Sequence, residues 1–133
     1  MVKVKLLFCA EAAVVDKISN NLSAFNIWEQ LNFRSLPVAI PRMVIVSLLE
    51  KENGDSDEWH GEIRIRIAGS EIMNHPIEHN FKGVPRSRNI FTIGGVPITQ
   101  PGKMDICLCQ DGNEIQSYTI DISVPEKPVV EVE

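Results

Sequence analysis

The sequence predicts an all-β fold, an antiparallel β-sandwich of immunoglobulin-like or jelly-roll-like kind with about eight strands. Three observations carry this. Val and Ile number 29 in 133 residues against 14 for Leu and Ala together, and branched β-carbons stiffen helices but pack well on a pleated surface. Apolar and polar side chains alternate with the two-residue period that puts one set on one face of a strand. Eight Pro and eight Gly punctuate the chain between such segments, as turns between short strands require.

Alternation is clearest in Gly61-Glu-Ile-Arg-Ile-Arg-Ile-Ala68, where Ile63, Ile65 and Ile67 share one face and Glu62, Arg64 and Arg66 the other. Met104 to Gln110 follows the same rule with Met104, Ile106 and Leu108, and Tyr118 to Val124 with Tyr118, Ile120, Ile122 and Val124. The Asp111-Gly112 pair between these two segments accepts the positive φ angles of a tight turn, so the two form a hairpin. Further strands are expected at Val2 to Cys9, Ala24 to Asn32, Arg42 to Glu52, Ile77 to Lys82 and Arg88 to Ile93. Met43 to Leu49 is apolar on both faces apart from Ser47, the pattern of a central strand covered on both sides. Phe25, Ile27, Leu31 and Phe33 stand an even number of residues apart and are expected to share a core face, with Glu29 as the exception that a bulge or an edge accommodates. Val14 and Ile18, four apart, give Glu11 to Asn20 the look of a short helical connector.

This length fits one domain, assigned to residues 1–125, with 126–133 (Glu-Lys-Pro-Val-Val-Glu-Val-Glu) as an acidic C-terminal tail, either extended or an added edge strand. Cys9, Cys107 and Cys109 cannot all pair within one chain, which points to a reducing compartment. Lys3 and Lys5 precede only a short apolar run interrupted by Glu11, and Phe8 before Cys9 does not suit a lipidated cysteine. No run approaches the length of a membrane helix. The expected location is the cytoplasm, with no membrane partner.

The sharpest chemical constellation is His75, His79, Cys107 and Cys109, two imidazoles and two thiols. A single residue between Cys107 and Cys109 is poor zinc spacing, and the plainer reading makes both cysteines small apolar residues on a strand with the histidines in a loop. The acidic run Glu50 to Glu58 offers Asp55 and Asp57 as hard oxygen ligands, but Trp59 and His60 stand where a calcium loop needs other residues, so it reads as the solvated tip of a hairpin. Arg64 and Arg66 are expected to pair with Glu50, Glu52 or Asp121. A net charge of 13 − 18 = −5 and 6% aromatic residues argue against nucleic acid. Glycine-rich phosphate loops, nucleophile elbows and paired metal-binding histidines are absent from the sequence. A dyad of Cys9 with His60 or His75 has no local support. The sequence thus assigns no catalytic, cofactor-binding or metal-ligating residue.

The segments Leu22-Ser-Ala-Phe-Asn-Ile-Trp-Glu-Gln-Leu31, Leu36-Pro-Val-Ala-Ile-Pro-Arg-Met-Val-Ile-Val-Ser-Leu-Leu49 and Pro101-Gly-Lys-Met-Asp-Ile-Cys-Leu-Cys109, continuing through Asp111-Gly112 to Val124, resemble an uncharacterised bacterial family of small β-sandwich domains of unknown function. The resemblance implies the fold and brings no catalytic residues. The expected function is a non-enzymatic protein-binding or assembly module with an unidentified protein partner, self-association remaining open. The alternative is a small metal-binding or ligand-binding enzyme using His75, His79, Cys107 and Cys109.

Overall fold

The computed structural model describes residues 1–125, and the acidic segment 126–133 lies outside the described residues. Nine strands occur among them: β1 (Lys3–Val15), β2 (Leu22–Ile27), β3 (Gln30–Asn32), β4 (Val38–Glu50), β5 (Glu58–Ile67), β6 (Ser70–Asn80), β7 (Arg86–Ile98), β8 (Gly102–Gln110) and β9 (Asn113–Ser123). They form a four-stranded sheet in the order β2-β1-β4-β7 and a five-stranded sheet in the order β3-β9-β8-β5-β6. With β4 and β7 paired in one sheet and β5, β8 and β9 in the other, this is an immunoglobulin-like sandwich.

Alternation decides what enters the core. Ile63, Ile65 and Ile67 of β5, Met104, Ile106 and Leu108 of β8 and Ile120 and Ile122 of β9 face Leu7 and Cys9 of β1 and Met43, Ile45 and Leu49 of β4, all buried. Two tight turns close hairpins. Asp111 and Gly112 have φ of 52° and 78° between β8 and β9, as the sequence predicts, and Ala68 and Gly69 have φ of 48° and 85° between β5 and β6. The second turn was hidden because Ala, unlike Asn or Asp, gives no sign of a left-handed position.

Several expectations need correction. Glu11 to Asn20 is not a helix: β1 continues to Val15, with Ala12 opposite Phe25 and Val14 opposite Ser23. The β-branched pair Val14-Val15 suits this pairing better than a lone helical turn. Ala24 to Asn32 is two strands in different sheets. The Trp28 amide donates to the Cys9 carbonyl at 2.8 Å in one sheet, while the Glu29 carbonyl accepts from the Asp121 amide at 3.2 Å in the other. The chain therefore changes sheets between adjacent residues, and Phe25 and Ile27 stay half-exposed instead of sharing a core face with Leu31 and Phe33. β6 and β7 are longer than predicted and contain Pro76 and Pro97; both are edge strands, where a missing amide proton costs no ladder bond. The acidic run after β4 is a crossover between sheets, not a hairpin tip. β4 is central and, as the sequence predicts, buried on both faces from Met43 to Ser47.

Candidate functional site

The outward faces of the two sheets differ in chemistry. On the five-stranded sheet, Arg64 Nη2 lies 3.2 Å from Glu62 Oε1 and Arg64 Nε 3.9 Å from Glu71 Oε1. Arg66 Nη2 donates to Glu114 Oε1 at 2.7 Å and to Cys107 Sγ at 2.9 Å. The partners expected for these arginines are elsewhere. Glu50 ends β4 of the other sheet and binds Arg86, Glu52 in the loop beyond it binds the Met1 amine and Lys3, and Asp121 holds Lys103 at 3.2 Å. Arg64, Arg66 and Lys103 on this face are thus each met by a local carboxylate.

The sequence-predicted metal set is not brought together. Cys107 and Cys109 alternate with the core residues Ile106 and Leu108, so both thiols point outward, buried beneath the arginine side chains. His75 and His79 stand on β6 and face inward, His75 against Phe91 with ring centres 5.6 Å apart and His79 edge-on to Phe81 at 4.9 Å. β5 separates the two strands, and the sulfurs and imidazoles lie on opposite sides of the sheet. The histidines therefore sit in a strand, not in a loop. Among the described residues no three His, Cys, Asp or Glu side chains converge on a metal position. Cys9 is sealed in the core, where burial pushes its thiol up to about 12. His60 points outward towards Glu78 at 3.9 Å, so neither it nor His75, at the far edge of the sandwich, makes a dyad with Cys9. In the acidic loop, Asp55 accepts from the Glu52 amide at 2.8 Å and binds the Met1 amine at 3.0 Å, and Asp57 binds Lys51 and the Gly83 amide. Those carboxylates are occupied within the chain.

A polar cluster does enter the core. His79 Nδ1 is 3.3 Å from Asn89 Nδ2, and Trp59, its cross-strand neighbour, has an indole nitrogen that, like His79 Nε2, is buried with no protein partner. Burial depresses the pKa of His79 and keeps the ring neutral.

The outward face of the four-stranded sheet is apolar. Pairing sets up three rows across β1, β4 and β7: Leu6, Leu48 and Arg88; Phe8, Val46 and Ile90; Ala10, Val44 and Thr92. Residues directly opposite in a ladder point to the same side, and the intervening rows, such as Cys9 with Ile45, face the core. Along a straight strand Val15 would stand about 30 Å beyond Leu6. Instead Val15 borders the same cavity as Leu48, and the Asn20 carbonyl accepts from Arg88 Nη2 at 2.5 Å. The β1–β2 hairpin therefore folds back over the sheet. Asn26, at φ 51°, bends β2, and its side-chain Nδ2 donates to Glu11 Oε2 at 2.5 Å. Asp16 Oδ1 accepts from the Ile18 and Ser19 amides at 2.7 and 2.9 Å, fixing the turn and holding the Asp16 carboxyl below its ordinary range.

Between hairpin and sheet runs a groove of about 400 Å³. Leu22, Ala24 and Ile27 form its roof, and Leu6, Phe8, Val46 and Leu48 its floor. Arg88 stands at one end, where a second cavity of about 610 Å³ continues past Leu48 to Arg86. Val44 and Val46 are only 1% exposed beneath this cover, whereas Leu6 and Ile27 are each 49% exposed at its mouth. No acidic residue is among the described residues lining either cavity. Sequence reasoning missed these residues because the groove depends on the hairpin folding back. The available signal was the two-sided apolar pattern of Met43 to Leu49.

No curated protein matches the sequence. Among solved structures the chain is similar to an immunoglobulin-like protein from Pseudomonas aeruginosa, with 10% identity over 92% of this chain and 97% of that one and a TM-score of 0.49. A family model matches residues 5–123, from the first core strand to the last, and the chain belongs to that family, described as "Family of unknown function (DUF6941)".

Proposed function

We propose that this domain is a non-enzymatic protein-binding or assembly module that docks a protein partner on the outward face of the four-stranded sheet. One observation carries the reading. Nine large hydrophobic side chains are exposed among the described residues, and five of them, Leu6, Val15, Ile27, Val84 and Ile90, line the groove or the cavity that continues it. Contiguous exposed apolar surface on a small domain marks an interaction site, and covering a half-exposed Leu or Ile contributes about 1 kcal/mol. The ion-paired face of the other sheet offers no free basic stripe for nucleic acid. Three unpaired thiols support a reducing compartment, read here as the bacterial cytoplasm. No helix among the described residues is long and apolar enough to cross a membrane.

The test is affinity capture from native cells with the wild-type chain, with Leu6→Asp and Ile27→Asp, and with Asp121→Ala on the opposite face as control. A partner retained by wild type and control but lost by both groove variants is the expected result. Equal retention by all four refutes the groove as the docking site.

A further inference from the structure

We infer that the groove receives the segment 126–133 of a second copy of this chain. The inference rests on the docking face argued above and names its occupant. The groove asks for apolar side chains along its length and negative charge at its arginine end. The segment Glu-Lys-Pro-Val-Val-Glu-Val-Glu supplies Val129, Val130 and Val132 together with Glu131 and Glu133, against Arg88, which bonds the Asn20 carbonyl and no carboxylate among the described residues, whereas Arg86 beyond it is already paired with Glu50. On a chain with a net charge of −5, this arginine corner is where an acidic segment meets attraction and not repulsion.

Reach selects a second copy over the segment's own groove. β9 ends at Ser123, whose neighbour Ile122 pairs with Gly102, and Gly102 follows closely on Ile98, which pairs with Val38. Ser123 therefore lies at the Val38 end of the sandwich. Leu48 is ten residues further along β4, about 33 Å away, and the path must also cross about 10 Å from one sheet to the other. Ten residues from Ser123 to Glu133, the acidic end that would have to meet Arg88, span at most about 36 Å when fully extended, short of a path that runs along the sheet and then around to its outer face. Two copies exchanging segments about a two-fold axis would satisfy both grooves at once.

The experiment is sedimentation equilibrium of the 133-residue chain over a wide concentration range, with Val130→Asp, with Ile27→Asp, and with the two variants mixed in equal amounts. Circular dichroism confirms that each is folded. Reversible wild-type dimerisation is expected, weakened at least about tenfold in each variant alone. Partial recovery is expected in the mixture, where one chain offers the groove and the other the segment. Raised salt should weaken the wild-type dimer. A monomeric wild type, a Val130→Asp chain that dimerises as the wild type does, or a mixture no better than its components overturns the inference. If the inference fails while Ile27→Asp still loses its cellular partner, only the occupant is wrong and the docking face stands.

Discussion

Arg88 of β7 donates to the Asn20 carbonyl at 2.5 Å and reaches the Asn20 side-chain oxygen at 3.2 Å, linking the tip of the β1–β2 hairpin to the far strand of its own sheet. This contact spans the groove and holds its roof in place. A hydrogen bond from a charged donor contributes about 1.5–3 kcal/mol when shielded, and at this partly exposed position about 1 kcal/mol. Arg88→Ala should therefore speed hydrogen exchange of amides 16–21 about fivefold with little change in the exchange of β5 and β8. Unchanged exchange in the hairpin would mean that something else holds it down.

His79 makes stability depend on pH in a defined direction. Its folded-state pKa is depressed by burial, so the unfolded chain takes up the proton first as pH falls. The contribution of the neutral ring is fully present above the unfolded value, about 6.5, and is lost as pH falls through the lower folded value. Urea titrations between neutral and mildly acidic pH should show the midpoint falling, and His79→Leu should flatten that fall. A midpoint that rises on acidification contradicts the assignment.

Gly61 has no room for a side chain. A Cβ there would stand 2.3 and 2.7 Å from ring atoms of Trp59 and 2.9 Å from the Cys109 carbonyl oxygen. Trp59 is 4% exposed and cannot swing clear. Gly61→Ala should cost about 2–3 kcal/mol by overpacking, read as a lowered denaturation midpoint with a shifted tryptophan emission. A variant as stable as wild type would show that the Trp59 ring lies elsewhere.

The three thiols are free and buried. Burial pushes Cys9 and Cys107 up to about 12, and Cys109 is raised by the same cause. Thiolate is the reactive form, so Ellman's reagent at mildly alkaline pH should leave the native protein unlabelled for as long as a denatured sample needs to react completely. Rapid labelling of one thiol in the native state would mark it as accessible and reopen a chemical role for it.

Where side chains alternate strictly, the fold was legible. β5, β8 and β9 follow from Ile63-Ile65-Ile67, Met104-Ile106-Leu108 and Ile120-Ile122 because in each the core side chains recur at every second position. Edge strands were harder to read, since Pro76 and Pro97 look like breaks until it is known that no ladder bond is needed on their open side. The last third of β1 was obscured by Glu11-Ala-Ala-Val-Val, whose spacing fits a helical turn as well as a strand until β2 pairs with it. The candidate site was legible only as an unexplained demand: Val44, Val46 and Leu48 called for a cover, and the hairpin that supplies it arrives through tertiary folding, which local periodicity does not encode.

The most direct measurement is hydrogen exchange of the domain alone and bound to the protein partner it retains. The account predicts new protection in β2, in Leu6–Ala10 of β1 and in Val44–Leu48 of β4, with the outward-facing residues of β5 and β8 unaffected. Protection confined to the five-stranded sheet, or to the open edge of β6, would contradict it.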